Sequence, residues 1–404
     1  PSMLVKGDTV ILVDLVTSCQ EGYFTIEINF FSTVTGEETG SVTHKIACDN
    51  SNFSPGVVFS ANRNHYAICF ADKKNAVGST IQFHIYETGF PEMKVAYILP
   101  EYASDASSSY GLHIGQGGEL LFASADAKNN HLKTFYWSNN MTEPGTTSTN
   151  FYFQRPADRI GNIYIESLGP STYFVTYSGM IGEELTGYGY AGINVILKTV
   201  LYSAITDYRQ DDIANLYAYA ISDLDKKIKK SRTPENLKDV KLVYSTITEA
   251  NNVILVFERI NPPSPYQEDI ISPAPTVHSK SGKKTRYIGG DVLVHAYSDN
   301  GESLWSSVIR KSQQASQSTS SLSYIFRKED NLIRFLYYDS DERKIMTVSL
   351  DERTGDVLDH VNILTKSKYG FLKQFSCFIG PKSILICDPK SGDMKKRRLV
   401  LAEY

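Results

Sequence analysis

Phe24-Thr25-Ile26-Glu27-Ile28-Asn29-Phe30 decides the fold class. Apolar side chains at every second position put one face of an extended segment into a core and the other into water, a period that a helix does not reproduce. A few residues on, Thr35-Gly36-Glu37 supplies a turn in which glycine can take the positive φ of a tight hairpin. The pair of signals returns along the chain. Apolar and aromatic runs at 10–16, 65–71, 81–86, 132–137, 173–177, 253–258, 292–297, 333–338 and 345–350 read as strands. Asn300-Gly301-Glu302, Thr354-Gly355-Asp356 and Ser391-Gly392-Asp393 repeat the turn.

The runs fall into groups of three or four, most spanning about 40 to 60 residues, the scale of a radial repeat. The expected fold is therefore all-β: a single β-propeller over 1–404, with about seven four-stranded blades (six or eight being the neighbouring options). The candidate blades are 1–47, 56–100, 110–157, 162–222, 240–310, 322–364 and 371–404. The last group holds three strand candidates, and Met3 to Lys6 is expected to supply its fourth strand and close the ring, which removes an exposed sheet edge. The one long helix candidate is 211–230, where tyrosines two apart (Tyr217, Tyr219) favour a strand and 222–230 is left as the helical portion. An insertion at 261–284 carries Pro262, Pro263, Pro265, Pro273 and Pro275, and so reads as extended, unpaired chain within the fifth blade.

Composition bounds the function. The 404 residues carry 41 basic and 45 acidic side chains, a net charge of −4, so no basic field attracts nucleic acid. The basic runs at 226–230 and 395–398 are short and read as solvated strand ends. No apolar run is long enough for a membrane helix. Pro1-Ser2-Met3 opens directly into strand-like sequence, as a processed or trimmed N-terminus would, so the missing signal peptide says little about location. The cysteines (Cys19, Cys48, Cys69, Cys377, Cys387) form no C-x-x-C pair. Cys69 and Cys387 sit in apolar runs and read as buried thiols. Cys19 and Cys48 lie near strand ends and are the pair available for a disulfide outside the cytoplasm.

Catalytic patterns are missing. The eight histidines are scattered singly, without the H-x-H or H-E-x-x-H spacing of a metal site. Glu37/Glu38, Glu183/Glu184 and Asp211/Asp212 are sequence neighbours, whereas a glycosidase needs carboxylates facing each other across a cleft. Asp339-Ser340-Asp341-Glu342 lacks the glycine and later glutamate of a calcium loop. Gly115-Gln116-Gly117-Gly118 reads as a strand turn. The stretch from Gly182 to Gly192 (GEELTGYGYAG) is glycine-rich without a phosphate-loop pattern, and reads as a loose hairpin loop with exposed tyrosines. No catalytic residue, cofactor or metal is expected.

The segment 296–305 (AYSDNGESLW) resembles the strand–turn–strand signature of quinoprotein-type propeller blades, with Asp299 opening the turn, Gly301 making it and Trp305 in the place of the residue that docks between blades. The equivalent 350–359 (LDERTGDVLD) keeps Asp351 and Gly355 but has Asp359 in the tryptophan place, so the resemblance implies the fold and not the cofactor. Over 240–404 the order Gly289-Gly290-Asp291-Val292-Leu293-Val294, then Asp299 to Trp305, then Ile309-Arg310-Lys311-Ser312-Gln313 resembles a group of extracytoplasmic propellers of Bacteroidota. That resemblance implies a periplasmic or cell-surface location and a protein-binding role, as in subunits of cell outer membrane machines such as the type IX secretion apparatus.

The expected function is thus non-enzymatic protein binding in an extracytoplasmic complex, with no nucleic-acid partner. The contacts are expected on the rim loops 179–192 and 261–284, through Tyr188, Tyr190, Tyr266 and Pro273. Proline, tyrosine and glycine there would present rigid or aromatic surface at low ordering cost. The alternatives are a carbohydrate-active or glycan-binding propeller, with acids gathered from several blades, and a sensor ectodomain.

Overall fold

The computed structural model describes residues 2–20, 22–47, 56–72, 79–102, 108–138, 141, 143–208, 237–238, 240–248, 250–261, 287–298, 302–311, 313–315, 324–329, 331–339, 343–365, 371, 376–380, 382–389 and 397–404. It is a seven-bladed β-propeller, and no helix occurs among the described residues. Each sheet is a meander in chain order.

The first sheet is β1 (Ser2–Lys6), β2 (Thr9–Gln20), β3 (Tyr23–Ser32) and β4 (Glu38–Ala47); the second is β5 (Gly56–Phe59), β6 (His65–Asp72), β7 (Ser79–Glu87) and β8 (Met93–Tyr102). The third is β9 (Ser108–Ile114), β10 (Leu120–Asp126), β11 (His131–Trp137) and β12 (Gly145–Asn150); the fourth is β13 (Arg159–Ser167), β14 (Thr172–Ile181), β15 (Glu184–Asn194) and β16 (Thr199–Asp207). The fifth is β17 (Val240–Ile247), β18 (Val253–Asn261), β19 (Tyr287–Tyr297) and β20 (Ser303–Ile309), with β21 (Gln313–Ala315) added along β19. The sixth is β22 (Tyr324–Glu329), β23 (Leu332–Asp339), β24 (Lys344–Asp351) and β25 (Val357–Thr365); the seventh is β26 (Cys377–Gly380), β27 (Ser383–Pro389) and β28 (Arg397–Glu403).

Chain contacts divide the described residues into two compact units, one lying within 1–181 and 188–205, the other within 182–187, 206–261 and 287–404. In each, the core lies between consecutive sheets. In β3, Phe24, Ile26, Ile28 and Phe30 are the buried face, and they pack with Tyr66, Ile68 and Tyr86 of the second sheet. Phe83 and Leu99 of that sheet meet Leu112 and Phe122 of the third, which in turn shares a core with Tyr173, Val175 and Ile193 of the fourth. In the second unit, Val292 and Val294 pack with Phe335 and Val348, and Leu336 and Ile345 with Ile384 and Ile386. Each such side chain contributes about 1.5–3 kcal/mol on leaving water.

Two turns repeat. Between first and second strands, Ser60, Gly115 and Thr248 each donate N–H to the carbonyl of a residue at or just before the start of the next strand, His65, Glu119 and Asn252, at 2.9, 2.8 and 2.8 Å. The third residue after each lies at positive φ: Arg63 (59°), Gly118 (91°) and Asn251 (61°). Between third and fourth strands, Ser32, Asn194 and Asp351 each turn their side-chain oxygen onto the N–H groups two and three residues on, at 2.8 to 3.2 Å. The fourth residue on is again left-handed: Gly36 (φ 72°), Lys198 (54°) and Gly355 (72°).

The expected Trp305 docking is present. Its indole lies against Gly355 of the sixth sheet, so close that a β-carbon there would stand 2.4 Å from the ring, and Nε1 donates to Glu352 O at 3.2 Å. The ring-closing expectation for Met3 to Lys6 is corrected. Gly7 (φ 52°) folds β1 straight back onto β2, Val5 opposite Val10, so the segment completes the first sheet and the seventh has three strands among the described residues. A two-residue hairpin closes at far less entropic cost than pairing with the opposite chain end. The helix candidate 211–230, residues 262–284 of the proline-rich insertion 261–284, the turns at Gly301 and Gly392, Cys48 and the Cys19 side chain lie outside the described residues.

Candidate functional site

The expected loop 179–192 is corrected to two strands. β14 and β15 meet across Gly182 (φ 57°), and Tyr188 and Tyr190 lie inside β15, both 0% exposed. The interleaved glycines explain the misreading. A β-carbon at Gly189 would stand 2.4 Å from the Tyr177 ring and one at Gly192 2.4 Å from the Tyr202 ring. Glycine in a strand here marks close aromatic approach rather than a loop. Tyr190 packs against the rings of Phe174 and Tyr188. Neither tyrosine presents surface to a partner. Tyr266 and Pro273 lie outside the described residues.

The surface feature that stands out is the β15–β16 tip, Asn194-Val195-Ile196-Leu197-Lys198. Asn194 Oδ1 accepts from Ile196 N–H at 3.1 Å and Leu197 N–H at 2.8 Å, which fixes the tip and leaves those two side chains 70% and 67% exposed. In the two equivalent tips, the places of Leu197 and Lys198 hold Thr35-Gly36 and Thr354-Gly355. Both threonine hydroxyls accept a further N–H of their own turn, from Glu37 and Asp356. The fourth-blade tip thus gives up a capping hydroxyl and a glycine for an exposed leucine and a left-handed lysine. Sequence reading passed over this tip; its signal was an Ile-Leu pair where a turn calls for polar residues.

A second feature gathers polar groups from the second, third and fourth sheets. Glu119, half-buried at the start of β10, folds its carboxylate over its own turn and accepts Gly117 N–H at 3.1 Å. Glycine at 115 and 117 makes room, since a β-carbon at either would stand 2.3 or 2.6 Å from the carboxylate. Around it stand His65, His113, Tyr97, Tyr136 and Tyr173, all of which feel its charge. His65 Nδ1 lies 3.0 Å from Gln116 O and His113 Nδ1 3.2 Å from Ile165 O, so both rings carry their proton on Nδ1 and leave Nε2 as acceptor. Lys94 Nζ donates to His65 Nε2 at 3.3 Å. Burial, the largest cause for both, holds the two imidazoles below the usual histidine range and hence neutral. Burial likewise raises Tyr97, Tyr136 and Tyr173 above the usual phenol range, so their hydroxyls stay protonated. Tyr97 donates to Ser138 O at 3.0 Å. Tyr136 and Tyr173 are 9% and 2% exposed.

Other buried polar groups are knitted into the fold. Lys311 Nζ meets Glu258 Oε1 at 2.6 Å and Gln313 Oε1 at 2.9 Å. Arg334 bonds Glu329, Gly380 O and the Tyr404 hydroxyl. His295 bridges the Tyr297 hydroxyl and Ser303 Oγ. Among the described residues no three His, Cys, Asp or Glu side chains are grouped to hold a metal ion, and no helix is long and apolar enough to cross a membrane.

No protein-family model matches the sequence, and a search of curated proteins finds no match. Solved structures do resemble it. The polysaccharide lyase Uly1 is 9% identical with a TM-score of 0.45, over 99% of this chain and 88% of that one. The Dos1 propeller is 8% identical with a TM-score of 0.41, over 100% and 85%. The exo-β-1,3-galactanase 1,3Gal43A of Clostridium thermocellum is 10% identical with a TM-score of 0.37, over 100% and 92%. At this identity the likeness is one of fold.

Proposed function

We propose that this is a non-catalytic binding propeller that engages a protein partner through the β15–β16 tip. The observation that carries the reading is the substitution at that tip of Leu197-Lys198 for the Thr-Gly that the same turn uses elsewhere in the chain. Solvent-exposed leucine contributes nothing to folding, and a left-handed lysine costs about 1 kcal/mol. Departures from local preference concentrate where function demands them. An apolar pair on a rigid turn is an anchor that loses little entropy on docking.

An extracytoplasmic location, and membership of an envelope assembly of the type IX secretion kind, are supported by the resemblance of 240–404 alone and belong to the same proposal. The carbohydrate-active alternative draws less support, because the Glu119 cluster brings one carboxylate rather than a facing pair.

The double variant Leu197→Thr/Lys198→Gly restores the turn used at the other tips. The proposal expects it to keep or raise Tm while partners recovered by crosslinking from the native source are lost. Unchanged recovery would refute the proposal, and so would a fall in Tm, which would make the tip structural.

A further inference from the structure

We propose that the outer edge of β28 is a pairing surface for a second copy of this chain, joined strand to strand about a two-fold axis. In each of the other six sheets the strand in third place is covered by a fourth. The seventh ends on β28 (Arg397–Glu403), whose outer edge pairs with no strand among the described residues. The alternate N–H and C=O groups along such an edge are a template for another strand. The usual blunting devices are missing from its middle, which is the apolar run Leu399-Val400-Leu401-Ala402, without proline, glycine or charge. Val400 and Ala402 pack onto the core shared with the sixth sheet, while Leu401, on the opposite face, is 59% exposed.

The strand is complementary to itself. A two-fold axis normal to the sheet keeps each face on its own side, so one residue of an antiparallel pair must stand opposite its own copy. Centred on Val400, the register spans all of β28: Arg397 meets Glu403 of the second copy and Leu399 meets its Leu401, each pair occurring twice. Opposite charges and apolar residues directly across from each other are favourable cross-strand pairs. Moving the centre to Leu399 or Leu401 would set Arg397 or Glu403 opposite a leucine. A foreign strand would need this order of charges in reverse, which a second β28 already carries. The proposal does not rest on the β15–β16 tip.

The test is sedimentation equilibrium of the full chain over a dilution series, with hydrogen exchange of the β28 amides alongside. A species of twice the chain mass is expected that dissociates on dilution, with β28 amides that exchange faster as it does. Glu403→Arg sets like charges opposite each other at both ends of the joint and, because Glu403 is exposed, should leave the Tm of the dilute protein unchanged. It is expected to weaken dimerisation about tenfold or more, and Arg397→Glu/Glu403→Arg, which restores the opposite pairs, to recover it to within about threefold. A monomer at every concentration would overturn the proposal, whether its β28 amides exchange quickly or are protected by another segment of the chain. So would a dimer that Glu403→Arg leaves intact, or one that the double charge exchange does not recover.

Discussion

Glu258→Gln and Lys311→Met form the sharpest test of how the fifth sheet is built. Lys311 and Glu258 have side chains 0% and 2% exposed and 2.6 Å apart, and Gly289 and the Tyr324 ring close over them. Water cannot compensate either charge once its partner is gone. Removing one member of such a pair costs about 3–5 kcal/mol, because the other stays buried and uncompensated. Against a total stability of about 5–15 kcal/mol this is a large fraction. Each single variant is therefore expected to lose about 3–5 kcal/mol in urea unfolding followed by circular dichroism. The double variant is expected to recover most of that. Its methionine is apolar, and its introduced glutamine amide can donate to Gln313, which accepts from Lys311 at 2.9 Å in the parent. The coupling would then exceed about 3 kcal/mol. Single losses under about 1 kcal/mol, or a double variant that costs the sum, would show that the pair is solvated and the reasoning wrong.

Gly355→Ala is expected to cost about 2–4 kcal/mol, since it combines a left-handed alanine with a β-carbon driven into the Trp305 ring, and indole fluorescence should report the displaced ring. Tyr190→Ala, which an exposed loop would have tolerated, should instead cost about 3–5 kcal/mol by opening a cavity, read as a fall in urea midpoint. His295 is held at about 3 by burial against 6.5 when unfolded, so the unfolded chain binds the proton first. Stability is full above pH 6.5 and falls with acidification, by about 3 kcal/mol at pH 4, and His295→Asn should flatten that slope.

The strands were legible where period-two alternation met a turn. Phe24 to Phe30 and Thr35-Gly36 declare themselves without tertiary help, as does Trp305 beside its turn. What escaped reading has a common physical origin: a local residue type whose role is set by a distant neighbour. Gly187, Gly189 and Gly192 weaken a strand unless an aromatic ring lies on it, and the rings of Tyr177 and Tyr202 do so for the last two. Arg63, Asn251 and Lys198 take the left-handed place that glycine fills in sister turns, so that repeat is conformational and absent from the letters. The pairing of β1 was lost to a long-range argument about sheet edges when Gly7-Asp8 favoured the local hairpin. The Glu119 cluster joins residues 65, 113, 119, 136 and 173 from three sheets, each with an ordinary strand or turn context of its own.

Cost to stability is what separates the candidate tip from the polar interior. Lys311, Arg334 and His295 are expensive to bury, and each is met by partners that offset the expense. Leu197 and Lys198 are the reverse. A threonine and a glycine would serve the fold better at those places, and the chain itself uses both in the same turn twice. The tip belongs to the first unit, and the Lys198 side chain reaches the Gly145 position of the third sheet. A chain under selection for folding alone would lose such residues, since reverting them is neutral or favourable. Under the proposed function, their presence at this tip marks a place of recognition, with an apolar anchor as its chemistry.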